Sequence, residues 1–445
     1  MRNYRLCILL LLLLGIVLTA CSPGHLGSNE IAFLRNGQLW TIDPSGANAF
    51  RVVTQNSPIV GYSWSPNHQL FVFRTLDDQF AKTSSAKHLP TNSLTGQVVD
   101  APTIINTISI DGGTPIPIML SNTNVQYSNP YWNTSGTRLV YRQESITSSA
   151  VPGGALWWVS QNDQPEGIAI KHLPPSYSMP SLSYTSSTAI ENFQDGLFTS
   201  TLDGTTTHYL LSGTLPGHPL PATLERVLWQ PAHPHPLILY AISSSTSHLP
   251  SFTANTPQPI QLVALSQDGQ RSTLATCTCT QFAWSPDGKY ILYQTHTAYT
   301  LLNVETHISR IINAEQTSVP YWSPDSHFLL FDGQHQLQLV NIATTNHQTL
   351  LTDEGASSTS STTSQANIPS LVQPVPNSIW ASDSTHFLVL TRNRLHWQSK
   401  QLSQGLYTVA IDSHGQARSS PSLVDSNNDT QVGWTNQDPN TSFLY

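Results

Sequence analysis

The cysteines are the first residues whose type and spacing could support chemistry. The chain has four, and two of them form Cys277-Thr278-Cys279. On an extended strand both sulfurs of such a pair lie on one side, which suits a disulfide, a soft-metal site or two buried thiols. Two thiolates are too few to close a zinc site, and His233-Pro234-His235 lies almost a full repeat away. Structural cysteines, buried or oxidised, are therefore expected, and no metal or other cofactor. Asp425-Ser426-Asn427-Asn428-Asp429 alternates side-chain oxygens as calcium loops do, but Thr430 stands where an EF-hand requires glycine and no closing glutamate follows. An Asx-rich turn is the reading adopted. The 17 histidines, among them His68, His88, His248 and His347, are scattered without ligand spacing. No Gly-x-Ser-x-Gly elbow, His-Glu-x-x-His pair or Gly-x-x-x-x-Gly-Lys phosphate loop occurs. No catalytic residue is assigned on these grounds.

The N-terminus carries a different chemistry. Arg2 and Arg5 precede an apolar run from Leu6 to Ala20, which is shorter than the roughly 20 residues that span a bilayer and reads as a signal-peptide core. Leu18-Thr19-Ala20-Cys21 resembles the bacterial lipobox, which implies cleavage before Cys21 and lipid modification of that residue; an ordinary cleavable signal with an incidental cysteine is the alternative. The expected organisation is a signal peptide over 1–20, a flexible tether over 21–29 and one folded unit over 30–445. The implied location is the extracytoplasmic side of a bacterial envelope, with the membrane reached through the lipid.

The element that must position everything else is a repeat. Phe282-Ala283-Trp284-Ser285-Pro286-Asp287-Gly288-Lys289-Tyr290-Ile291-Leu292-Tyr293 reads as a strand, a tight turn and a second strand, with Pro fixing one φ and Gly accepting a positive one. Degraded copies centre on Trp64, Trp132, Trp229, Trp322, Trp380 and Trp434, so seven of the eleven tryptophans occupy one structural position. An eighth copy, around Tyr184, has Tyr in place of Trp. Spacings run from 38 residues (Trp284 to Trp322) to 68 (Trp64 to Trp132), the period of four-stranded propeller blades with inserted loops. The predicted fold is all-β, a single propeller of four-stranded antiparallel blades, eight in number or seven if the Tyr184 unit is an insertion. Charged residues make up only 10% of the chain and no long helical pattern follows the leader.

The two ends complement each other. Ile31-Ala32-Phe33-Leu34, Gln38 to Asp43 and Phe50 to Val53 are three strands that lack an innermost partner, and Gln431-Val432-Gly433-Trp434 is an innermost strand with little chain after it. Closure of one blade by both termini is expected. Segments 77–102 and 355–376 are polar, rich in Ser, Thr and Pro, and read as long mobile loops.

On its Trp-Ser-Pro-Asp-Gly motif, closest at Trp284 and Trp322, the chain resembles the TolB-type or PD40 group of WD40-like β-propellers over about 30–445. The resemblance implies a binding scaffold working through loops at one face of the disc, with the tryptophans and turn aspartates in structural roles. The segments entering the inner strands, Asn124 to Asn129, Ser176 to Met179, Thr223 to Arg226 and Gln316 to Val319, are the expected contributors. Tyr127, Tyr177 and Arg226 are the candidate binding residues, being of types enriched in binding sites. The expected partner is an envelope or extracellular protein, or a glycan or peptide; the alternatives are a loop-built lyase or hydrolase and an accessory subunit of a membrane complex. A net charge of −8 without any basic run argues against nucleic acid. A monomer is expected.

Overall fold

The structure is a computed structural model and describes residues 31–434 apart from a set of connecting segments, the longest being 147–155, 170–180, 213–226, 244–259 and 353–378. Strands dominate it, and the described helices are two single 3₁₀ turns, Phe80–Lys82 and Ser84–Lys87. Eight antiparallel sheets follow one another along the chain. Seven contain a four-stranded path; the remaining one has three strands, and Trp380 bridges its first strand through Phe387 where an innermost strand would pair. The fold is the expected β-propeller with eight blades.

The blade built on Trp284 shows how the sequence makes the unit. Gln281–Trp284, Tyr290–Gln294, Tyr299–Asn303 and Ser309–Ile312 pair in that order, from the inside outward. The two middle strands are almost fully buried while the outer one is exposed along most of its length, as expected for a sheet covered by neighbours near the axis and open at the rim. The Tyr184 unit is a genuine blade, with Ser181–Leu182, Thr188–Phe193, Gly196–Thr201 and Thr207–Ser212 paired in sequence. That settles the number at eight rather than seven.

Closure follows the expected pattern. Thr430–Trp434 pairs with Ile31–Arg35 through Ile31↔Trp434, Ala32↔Gly433 and Leu34↔Thr430, and Gln38–Ile42 and Phe50–Arg51 complete that blade. The ring therefore has no unpaired inner edge at the seam.

At five of the described motif positions the tryptophan joins its blade to the one before it. Trp132 clusters with Val72, Ile105 and Ile118 of the preceding blade, Trp322 with Leu292, Tyr299 and Leu301, and Trp380 with Leu330, Leu337 and Leu339. All six motif tryptophans whose exposure is described are buried, from 0% at Trp380 to 8% at Trp229. Burying an aromatic of this size contributes about 2–3 kcal/mol, so the seams between blades carry a large share of the apolar stabilisation.

The turns bond around the ring as well. Ser285 Oγ donates to Asp287 Oδ1 at 2.7 Å and accepts the Tyr290 amide at 2.9 Å, and Ser323 repeats this with Asp325 and Phe328. Gly288 has φ +69°, and a Cβ there would lie 2.6 Å from the Pro231 carbonyl of the preceding blade, so both conformation and close approach require glycine. Gln230 Nε2 donates to the Gly288 carbonyl at 2.8 Å across the same boundary.

Candidate functional site

Strand order fixes which connections share a face. In a meander, the links between first and second strands and between third and fourth leave at one end; the links between second and third strands and from blade to blade leave at the other. The first end has short connections: 65–69, 110–115, 133–137, 183–187, 230–237, 285–289 and 323–327 are typical, and only 411–421 exceeds them. The second end carries 77–102, 146–155, 170–180, 213–226, 244–259, 353–378 and 392–404. Of the eight connections of ten residues or more, seven join strand ends at one face, called here the loop face, and one, 411–421, joins strand ends at the other, the turn face. Loops on a rigid scaffold are where binding and catalytic groups concentrate, so the loop face is the candidate site.

Its best-described part is the 77–102 insertion in the first blade, expected as a mobile polar loop. Within its described portion it is instead folded onto the disc. Asp77 Oδ1 accepts the amides of Gln79 and Phe80, both at 2.9 Å, which starts the first 3₁₀ turn. Phe80, Ala81, Ala86, Leu89 and Val98 pack on Val60, Leu76 and Ala101. These apolar residues are spaced among Ser, Lys and Thr, so overall polarity concealed the packed underside.

Arg74 holds this loop and the next blade together. It sits in Leu70–Leu76, 2% exposed, and donates from Nη1 to the Tyr127 carbonyl at 2.6 Å and from Nη2 to the Val98 carbonyl at 3.2 Å. Burial lowers its pKa to about 10, and the nearby Glu144 carboxylate opposes the shift. Glu144 accepts a hydrogen bond from Gln126 Nε2 at 2.5 Å and pairs with Arg142 at 2.7 Å. A single cation inside Phe71-Val72-Phe73-Arg74-Thr75-Leu76 was the available sequence signal, and it was missed.

Tyr127 is corrected by this geometry. Expected as a binding residue at the loop face, it is 3% exposed, lies edge-on to Tyr141 at 6.0 Å and joins the apolar cluster with Val72 and Trp132. Burial raises its pKa. Its amide bonds Thr103 Oγ1 at 3.0 Å and its carbonyl receives Arg74. The residue welds two blades and offers no side chain to a partner. Tyr177, Arg226 and Cys21 lie outside the described residues.

Asp425 Oδ1 accepts the Asn427 amide at 2.7 Å, the expected Asx turn, and its other oxygen pairs with Arg35 at 2.6 Å. Burial works against the ionised form of Asp425, but Asn427 and Arg35 outweigh it and its pKa is lowered. His233 bonds the backbone of His235. A groove on the turn face is lined by Asp325, His327, Phe328, Asp383 and Asp412. Its carboxylates are engaged by their own turns, through the amides of His327, Thr385, His414 and Gln416. Among the described residues no three His, Cys, Asp or Glu side chains are placed to hold a metal ion.

Cys277 and Cys279 are joined as a disulfide, with Cα atoms 5.2 Å apart. Cys277 ends the outer strand Arg271–Cys277 and Gln281 begins the next inner strand, so the pair occupies a blade-to-blade link on the loop face. Both residues are partly exposed and rest against the cluster containing Phe282, Leu262 and Trp284.

No protein-family profile and no curated protein match this sequence. Solved structures do. A eukaryotic initiation factor structure matches with a TM-score of 0.52 at 10% identity, covering 92% of this chain and 98% of that one. TolB from Acinetobacter baumannii matches at TM-score 0.36 and 13% identity, over 73% of this chain and 79% of that one. An oligogalacturonate lyase in complex with manganese matches at 0.44 and 13%, over 66% and 79%. At such identities the likeness concerns the fold alone, and function has to be argued from this chain's own residues.

Proposed function

We propose that this chain is a lipid-anchored extracytoplasmic propeller that binds an envelope or extracellular protein through its loop face, without catalysis of its own on that partner. The observation that carries the reading is that seven of the eight longest connections join strand ends at one face, while the motif residues are consumed in turns and blade contacts. Ile31 begins its strand at the turn-face end, so a tether from Cys21 would leave from that side. Nine residues of extended chain reach at most about 30 Å, which would hold the turn face toward the membrane and present the loops outward. Net negative charge favours a partner with basic or neutral contacts.

Photo-crosslinkers at Gln79 and Asn427 on the loop face, and at Asp268 and Glu305 on the turn face, test this in intact cells; all four positions are exposed. One discrete adduct from the first pair and none from the second is expected. A Tyr177→Ala, Arg226→Ala double variant should weaken that adduct without loss of fold. Cys21→Ser should accumulate uncleaved precursor, whereas wild-type protein partitions into detergent. Adducts confined to the turn-face positions, or wild-type protein wholly in the aqueous phase, would overturn the assignment.

A further inference from the structure

We propose that Cys277–Cys279 is a thiol–disulfide exchange centre that acts on cysteine pairs of a protein or peptide. The bond links residues separated by two in sequence, so it closes a minimal loop and removes little entropy from the unfolded chain. A staple so placed does little for folding. The eight blades are held by ladders, tryptophan seams and terminal closure; Cys277 is only the last rung of one ladder, opposite Ile260, and the pair rests on the edge of the Trp284 seam. What the position does provide is access. Both cysteines are partly exposed, on the face that carries the insertions, with a two-sided support formed by the end of one blade and the start of the next. Exposed disulfides are the labile and catalytic kind, whereas buried ones resist exchange.

The reaction balances without a further group. A substrate thiolate attacks one sulfur of the pair, forming a mixed disulfide as the Cys277–Cys279 bond breaks, and the released thiolate takes a proton from water. The second substrate thiol, deprotonated, attacks the mixed disulfide. The products are an oxidised substrate and the Cys277, Cys279 dithiol, with two electrons transferred. A small disulfide such as oxidised glutathione restores the pair by the reverse steps, leaving two reduced glutathione molecules. The proposal is independent of partner binding at the neighbouring loops.

The test uses the full chain in detergent with Cys7→Ser and Cys21→Ser, so that Cys277 and Cys279 are the only cysteines. The folded chain is equilibrated in glutathione buffers of graded ratio, acid-quenched, alkylated and analysed by mass spectrometry. The peptide is expected to pass from disulfide to dithiol with a glutathione adduct between them, and the melting midpoints of the two forms to agree within about 5 °C, as they should if the bond adds little to stability. In a second arm, a reduced two-cysteine test peptide with oxidised glutathione should be oxidised faster in the presence of this chain than in the presence of a Cys277→Ser, Cys279→Ser variant. A pair that reacts only in denaturant, a reduced form that melts further below the oxidised one, or equal peptide oxidation by chain and variant would each overturn the proposal.

Discussion

The amide of Asp287 donates to Ser326 Oγ at 3.0 Å across the boundary between two blades, and Asp325 makes the same bond to Ser384 one blade further on. Ser326 and Ser384 occupy the motif position held by Gly288 and share its left-handed backbone, with φ of 62° and 57°. A non-glycine residue in that conformation costs roughly 1–2 kcal/mol. The hydroxyl offsets the cost by satisfying an amide of the preceding blade, and both serines are 3% exposed. The departure from Asp-Gly to Asp-Ser is thus a contact between blades rather than decay of the motif.

A mutational comparison follows from that balance. Ser326→Ala keeps the strained backbone and leaves the Asp287 amide without its partner, so it should cost about 2 kcal/mol in chemical denaturation. Ser326→Gly loses the same bond but relieves the strain, and should be about 1 kcal/mol less destabilising than Ser326→Ala. If alanine were tolerated better than glycine, the left-handed backbone at Ser326 would have to be absent in solution, and if neither variant were destabilised, the bond would.

Closure by the termini has a larger expected effect. Removing 430–445 takes away the partner of Ile31–Arg35 and the buried Val432, and opens the edge beside Phe33. A closed ring has no spare edge to absorb this loss. The truncated chain should melt on the order of 10 °C lower and less cooperatively in calorimetry. A shift of only a few degrees would mean that the seam is not held by this strand.

The alkaline limb of stability should depend on tyrosines. Tyr299 donates its hydroxyl to the Ser318 carbonyl, and burial raises its pKa to about 12, with the Ser318 side chain acting in the opposite sense. The folded state keeps this proton to higher pH than the unfolded chain, which releases it near 10. Its contribution is therefore complete below pH 10 and lost between pH 10 and about 12. Tyr127, Tyr240 and Tyr293 shift in the same direction through burial. Tyr299→Phe should be less stable at pH 7 by about 1 kcal/mol yet fall less steeply above pH 10, as equilibrium denaturation at stepped pH will show.

What the sequence disclosed was what is encoded locally. A tryptophan before a Ser-Pro-Asp turn, and alternating apolar residues on either side, specify a hairpin from adjacent positions, and that motif at Trp284 and Trp322 with five degraded copies specifies the ring. The incomplete blades at the two ends were legible for the same reason. Non-local pairing was not. The hairpin of Leu395–Trp397 and Lys400–Leu402 arises in the seventh blade yet extends the sixth, through Leu351↔Trp397 and Thr352↔His396, and Trp397 is fully buried there. Nothing beside Trp397 names Leu351. Tyr127 was misplaced because a strand alternates between inside and outside, so one step of phase separates a face residue from a core residue. Of the candidate site, strand order alone places the inner-strand entries at the loop face, whereas the order within 77–102 depends on backbone carbonyls that have no sequence signature.

Arg74 separates stability from order at the site. Arg74→Met keeps length and apolar bulk but leaves the carbonyls of Tyr127 and Val98 without their donor. It also removes a buried cation whose desolvation opposes folding, so the net loss in global stability should be modest, about 1–2 kcal/mol. The local effect should be larger. Without the bond to Val98, the 77–102 insertion keeps its apolar underside, the Asp77 cap and the Ser57–Asp78 hydrogen bond but loses its tie to the buried cation, and should open often enough for a protease to enter. Limited trypsin digestion should cut after Lys82 or Lys87 several-fold faster in Arg74→Met than in wild type, with the other cleavages unchanged. Arg74→Lys keeps the charge, but a compact ammonium cannot span two carbonyls on different blades, so it should behave like Arg74→Met in this assay. If Arg74→Lys is as resistant as wild type, charge alone holds the loop, and the two-pronged contact to Tyr127 and Val98 is not what orders this face.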